Sequence, residues 1–164
     1  NEIAYCALSP RADEELFIEF CEDFEYNPVI FEAYQTVNGE RKHIYHTNVM
    51  MCIAETFAVI CADCIDDKAE RKMVLQKLKE SGKEIILITE EQVNNFAGNM
   101  LQVRGANDER FLIMSDAAYN VLTQDQIAKI EKHCKILHAS LDIIEACGGG
   151  SARCMMAEVF LPKK

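Results

Sequence analysis

Cys154 is the residue of this chain best placed to act as a nucleophile. It stands in Cys147-Gly148-Gly149-Gly150-Ser151-Ala152-Arg153-Cys154-Met155-Met156. Three consecutive glycines let the backbone turn through conformations closed to other residues and let another group approach closely. Arg153 and a run of free backbone N–H groups make surroundings that favour the thiolate, and the thiolate is the reactive form. The same residues also suit an inert cysteine packed beside a β-turn, which is what most cysteines are. What separates the two readings is an acid–base partner. His46 becomes that partner through the way the elements repeat.

Ile3–Leu8 reads as a strand, and Ser9-Pro10 offers an N-cap and a first-turn proline for an acidic amphipathic helix over 13–24. Pro28 breaks that helix, a strand follows over 29–34, and residues 36–42 with Asn38-Gly39 read as a loop. Two apolar runs, 44–53 and 57–61, are joined by Ala54-Glu55-Thr56 as a hairpin. Asp66 is the expected cap of a helix over 68–79 that Gly82 ends, with a strand over 85–88 after it. Residues 99–103 and 111–115 pair around Gly105-Ala106-Asn107-Asp108. Thr123 and Gln126 form a capping box for a helix through Cys134. Strands are expected over 141–146 and, after the glycine turn, over 155–161.

These elements amount to one unit used repeatedly: strand, strand, helix, strand. Ile3, Phe57 and Phe111 open equivalent strands at intervals of 54 residues, a period typical of an array or propeller. The same repeat aligns His46, Asn99 and Cys154, spaced by 53 and 55 residues, at the start of the leading strand. Equivalent strand ends of a propeller gather about its axis. His46 and Cys154 therefore meet across one cavity, as a nucleophile and its acid–base partner do. Their reacting atoms are expected within roughly 4–8 Å, because such contacts are loose without substrate. Asn99 should line the same axis in a packing or polar role.

Composition narrows the classes. A chain of 164 residues, 49% hydrophobic and 27% charged, has the size and balance of one globular α/β domain. Its net charge of −10 argues against nucleic acid and anionic membranes as partners. Eight cysteines, several inside apolar runs, fit a reduced cytoplasmic protein better than a disulfide framework. Cys61-Ala62-Asp63-Cys64 has redox spacing, but Asp63, Asp66 and Asp67 push thiols the wrong way for a redox thiolate. No second Cys-x-x-Cys completes a zinc site, so neither metal nor cofactor is expected. His133 and His138 are expected on the surface, and His43 lies in the loop without an evident partner. The Met50-Met51 and Met155-Met156 pairs suit strand packing. The glycine run lacks the Lys-Ser/Thr of a phosphate loop and precedes a strand, which argues against nucleotide binding.

The motifs also carry a family resemblance. Gly149-Gly150-Ser151-Ala152-Arg153-Cys154-Met155 resembles the Gly-Gly-x-Arg-Cys-Met signature of arginine deiminases, and His46-Thr47-Asn48 resembles their His-x-Asp motif. Tyr45-His46-Thr47-Asn48-Val49-Met50-Met51-Cys52 and Phe96-Ala97-Gly98-Asn99-Met100-Leu101 resemble motifs of bacterial amidinotransferase-like citrulline-utilisation hydrolases. Over its whole length the chain is similar to the C-terminal portion of the guanidino-group-modifying pentein superfamily. That implies an α/β-propeller of ββαβ modules around a pseudo-fivefold axis. About three of the five modules would be present, over 1–43, 44–98 and 99–150, with a closing strand in 151–164.

By that resemblance Cys154 attacks the central carbon of a guanidino or ureido group, and His46 protonates the leaving nitrogen and then activates water. A thiouronium-type covalent intermediate lies between the steps. Asn48, Gly149, Gly150, Ser151 and Arg153 would bind the substrate, an arginine- or citrulline-like small molecule. Asn48 stands where the family carries an aspartate, which removes an ion pair; charge-assisted bonds are about twice as strong as neutral ones. The substrate therefore need not be free arginine. The resemblance also places the acidic partner of His46 upstream of Asn1. The 164 residues alone are thus expected to turn over little substrate, and open sheet edges to favour self-association or a homo-oligomer. An amidinotransferase with an amine in place of water is one alternative. A non-catalytic pentein binding module is another, which the joint presence of Cys154 and His46 disfavours.

Overall fold

The computed structural model describes residues 2–157. Strands β1 (Ile3–Leu8) and β2 (Asn27–Glu32) pair in parallel, with helix α1 (Glu14–Asp23) crossing between them. A hairpin follows, β3 (Tyr34–Val37) against β4 (Glu40–His43). The next sheet has the order β5 (Met51–Ile53), β6 (Phe57–Ile60), β7 (Glu84–Leu87), with helix α2 (Lys68–Glu80) as the crossover from β6 to β7. Strand β5 runs antiparallel and β7 parallel to β6. After α3 (Glu90–Asn94) the pattern returns: β8 (Leu101–Arg104), β9 (Arg110–Ser115), crossover helices α4 (Asp116–Val121) and α5 (Gln124–Glu131), and β10 (Lys135–Ala139). Helix α6 (Asp142–Gly148) then leads to a 3-10 turn at Ala152–Met155.

The ββαβ unit read from the sequence is the unit that forms, and β1, β6 and β9 hold equivalent places in successive sheets. The middle strand explains why. Phe57, Ala58, Val59 and Ile60 are all buried, so β6 is covered on both faces and reads as an unbroken apolar run. Val74 and Leu78 of α2 and Ile130 of α5 close over these sheets, each side chain adding about 1.5–3 kcal/mol of apolar burial.

Several expectations are corrected. Residues 141–146 form a helix, and the strand they displaced is β10, parallel to β9. The expected loop at 36–42 is a hairpin, turning on Asn38 and Gly39 with φ of 54° and 80°. Helix α1 is capped by Asp13 and not by Ser9; α2 is capped by Asp67, whose carboxylate accepts from Ala69 and Glu70 N–H at 2.8 Å, and not by Asp66. Met155 closes the 3-10 turn and does not open a strand; the rest of the expected strand, 158–161, lies outside the described residues. His133 is half-buried, with its ring nitrogens 2.8 Å from Thr56 Oγ1 and 2.9 Å from Glu84 Oε2. His138 is exposed, as expected, and lies in β10, stacked on Tyr119 with 3.9 Å between ring centroids and bonded to Asp116.

Candidate active site

Three chain segments meet at Cys154. The first joins β4 to β5: Tyr45 and His46 enter a 3-10 turn at Thr47–Val49. It is fastened to the first module by Ala7 N–H donating to Thr47 Oγ1 at 2.9 Å and Ser9 Oγ donating to the Tyr45 carbonyl at 2.9 Å. The second segment, Phe96 to Asn99, follows α3 and lies flush against that turn. A Cβ on Gly98 would stand 2.3 Å from the Val49 carbonyl oxygen, so only glycine permits the approach. The third is the glycine turn itself, where Gly149, at φ 67°, ends α6 in the left-handed conformation.

Polar bonds knit the three together. Tyr45 Oη donates to the Gly149 carbonyl at 2.9 Å, and Asn48 Nδ2 lies 3.8 Å from Cys154 Sγ. Asn99 Nδ2 lies 3.2 Å from the same sulfur and 3.1 Å from the Asn48 carbonyl, while its Oδ1 accepts from Arg153 N–H at 3.1 Å. A cavity of about 160 Å³ adjoins this cluster, lined by Gln35, Tyr45, Val49, Phe96, Asn99 and Gly150. Cys154 is exposed, as is Cys147, whereas the other six cysteines are buried. Burial, reinforced by the neighbouring Cys154, pushes the Tyr45 hydroxyl above its ordinary value, with Arg11 opposing; that guanidinium lies 5.4 Å from the ring centroid. Burial also pushes the Cys52 thiol up to about 12.

The comparisons with known proteins bear on this arrangement. The family model of eukaryotic N,N dimethylarginine dimethylhydrolase matches residues 1–161. The chain belongs to this family. Among solved structures, apo ArgZ, an arginine dihydrolase from the ornithine–ammonia cycle in cyanobacteria, is similar over 98% of this chain, with a TM-score of 0.73 and 15% identity. The product-bound N-terminal domain of ArgZ is similar over 94% of the chain, with a TM-score of 0.67 and 16% identity. The chain spans 23% of the length of the first and 50% of the second. No curated protein matches it. Family and fold together place the chain in the guanidino-group-modifying pentein superfamily, as an α/β-propeller fold of ββαβ modules.

Within that family frame, each candidate residue has a defined place. His46 is exposed at the head of the Thr47–Val49 turn, its ring 5.1 Å from that of Tyr45, and Asn48 faces Cys154. Among the described residues no hydrogen bond joins the His46 ring to Cys154. Gly150 packs on the Cys154 side chain: a Cβ there would lie 3.2 Å from Cys154 Sγ. Ser151 is buried, and its Oγ donates to Glu145 Oε1 at 2.6 Å, bracing the turn against α6. Arg153 Nη1 donates to the Met156 carbonyl at 3.1 Å. Tyr45, Gln35 and Phe96 also line the cavity; Tyr45 and Phe96 flank His46 and Asn99 in sequence motifs, whereas nothing in the sequence marks Gln35.

The remaining sequence features stay apart from the site. Cys61 and Cys64 are buried about a 3-10 turn at Ala62–Cys64. A bond from Cys64 holds the Cys61 thiol below its ordinary value, and the same bond pushes Cys64 up. His43 packs against Tyr34, with 4.5 Å between ring centroids. Among the described residues no group of His, Cys, Asp and Glu is arranged to hold a metal ion. No helix among them is long and apolar enough to cross a membrane.

Proposed function

We propose that the chain carries the nucleophile of a Cys-dependent hydrolase that breaks a C–N bond of a guanidino or ureido compound. The observation that carries this reading is the meeting of segment 45–48 with segment 149–154, more than 100 residues away, through Tyr45–Gly149 and Asn48–Cys154. Family membership supports N,N-dimethylarginine as the first compound to try.

In this reading Cys154 Sγ adds to the central carbon and the C–N bond to the leaving amine breaks. His46 gives the amine its proton, leaving a thiouronium-type adduct on sulfur. Water then adds to that carbon, passing a proton to His46, and the C–S bond breaks to return the thiolate and release a ureido product. Splitting one hard substitution into two easier ones is what a thiolate does well, and no metal enters the balance. Asn48 offers an amide to the substrate where a carboxylate would offer an ion pair. The cavity that adjoins the cluster through Asn99 and Gly150, walled by Tyr45, Phe96 and Val49, offers apolar surface for part of a substrate. The family's hydrolytic name favours water over an amine acceptor.

The test is incubation of the full-length protein with a haloacetamidine followed by peptide mass spectrometry, beside its amine release from dimethylarginine, arginine and citrulline. Labelling confined to Cys154 is expected, with Cys147, also exposed, spared, and Cys154→Ser is expected to abolish both labelling and turnover. His46→Ala should lower kcat by about 10²–10⁴-fold, the usual contribution of a positioned acid–base group. Equal labelling of Cys147 and Cys154 would instead favour a binding module.

A further inference from the structure

Asn99 spans the site with almost every polar function engaged. Its Nδ2 donates to Cys154 Sγ at 3.2 Å and to the Asn48 carbonyl at 3.1 Å, and its Oδ1 accepts from Arg153 N–H at 3.1 Å. The residue is only 3% exposed, although the cysteine it touches is an exposed residue. Its two backbone partners fix the sense of the amide. The Asn48 carbonyl only accepts and the Arg153 N–H only donates, so the NH2 group must face the sulfur. The reversed amide would set carbonyl against carbonyl and N–H against N–H.

Cys154 Sγ thus receives one firm donor from Asn99 and a longer one, at 3.8 Å, from Asn48 Nδ2. Donors aimed at a sulfur favour its anion over its thiol. A donor that is buried and held by two backbone groups is also preorganised, so it need not reorient when charge appears. The cation next in sequence, Arg153, bonds through Nη1 to the Met156 carbonyl, and among the described residues no bond joins it to Cys154 Sγ.

We propose that Asn99 is the positioning residue of this site: its buried amide donates to Cys154 Sγ, aims the sulfur, and favours the thiolate in the place where a cation would otherwise act. The inference rests on Cys154 being the nucleophile. It goes beyond that assignment by giving the sulfur's electrostatic control to a neutral amide that also locks the turn at Asn48 onto the turn at Arg153.

Asn99→Asp tests it, because aspartate keeps the shape and the acceptor for Arg153 N–H while replacing the donor with a carboxylate oxygen. The readout is the rate of iodoacetamide alkylation of Cys154 across pH 5–10, resolved by peptide mass spectrometry, with exposed Cys147 as internal reference. At pH 7 the Cys154 rate is expected to fall about tenfold, its profile to move toward higher pH, and the Cys147 rate to stay unchanged. A merely structural role predicts the opposite sign, since a loosened turn exposes the sulfur and speeds alkylation. An unchanged or faster Cys154 rate with an unmoved profile overturns the proposal. Should the aspartate variant melt below the assay temperature, Asn99→Ser, whose hydroxyl is too short to bridge sulfur and carbonyl, is read with the same expected signs. Alkylation judges Asn99 without reference to turnover, whereas turnover retained in Cys154→Ser would overturn the nucleophile assignment itself.

Discussion

Two glycines at the site are required for different reasons, and their substitutions separate the reasons. Gly149 has open space around its Cα but φ of 67°, so Gly149→Ala meets backbone strain alone and should cost about 1 kcal/mol. Gly98 has no such φ, but a Cβ there would lie 2.3 Å from one backbone atom and 2.8 Å from another, with nothing flexible to yield. Gly98→Ala should therefore force Phe96 to Asn99 off the Thr47–Val49 turn, costing about 3 kcal/mol in urea denaturation, at the upper end of what overpacking produces. The 53- and 55-residue spacings made the convergence of the segments that carry His46, Asn99 and Cys154 legible in the sequence, and hydrogen bonds from Asn48 and Asn99 to Cys154 join those segments. The spacings did not show that Asn99 would touch the sulfur. A repeat tells which positions converge; the sense of a side-chain amide depends on the donors and acceptors it meets there.

At the scale of elements, the hairpin of β3 and β4 carries Gln35 to the cavity wall, and it is clamped from outside. Arg41 of β4 pairs with Asp66, before α2, and with Glu90 Oε2 at 2.7 Å, at the start of α3; Glu90 also accepts from Thr36 N–H. Burial raises the Glu90 carboxyl, but the bonds from Thr36 and the pairing with Arg41 outweigh it and hold the group below its ordinary 4.5. A carboxylate depressed in the folded state contributes its full stability above the ordinary value and loses it as pH falls through the folded value. Glu90→Gln should thus destabilise the protein by about 1 kcal/mol at pH 7, with the difference fading below roughly pH 4. Urea midpoints of both proteins from pH 3 to 7 measure it, and a difference constant with pH would refute the clamp. The stretch 36–42 reads as a loop because Val37 is its single apolar side chain, and the strand residues within it are exposed. Residues 141–146 misled in the other direction. Leu141-Asp142-Ile143-Ile144 has strand-like composition, and helix α6 starts without a side-chain cap, so nothing in the sequence announced it. Its Ile143 is 80% exposed, so no buried face supplied a period either.

At the scale of the molecule, the second and third sheets are joined by polar contacts that repeat the logic of their helix starts. Thr89 and Thr123 open α3 and α5 with capping boxes, whose glutamines, Gln92 and Gln126, bond back to the capping residues. The same two amides then face each other. Gln92 Nε2 donates to Gln126 Oε1 at 2.7 Å, and Gln126 Nε2 donates to Gln92 Oε1 at 3.1 Å. Their second N–H groups reach the carbonyls of Val121 and Leu87, at 2.9 and 2.7 Å. Each amide therefore makes four hydrogen bonds, and the pair clasps α3 to α5 with no donor or acceptor left over. Such a network is stable only while complete, since removing one member strands its partner's groups. Gln92, being buried, should cost about 2 kcal/mol as Gln92→Ala, and more as Gln92→Glu, which keeps the volume but turns two donors into acceptors facing acceptors. In a double-mutant cycle Gln92→Ala and Gln126→Ala should couple by about 1 kcal/mol, because the second substitution removes a partner the first has already stranded. Strict additivity would mean that the clasp is incidental, and that the apolar faces of the two modules alone hold Asn99 and Asn48 in register with Cys154.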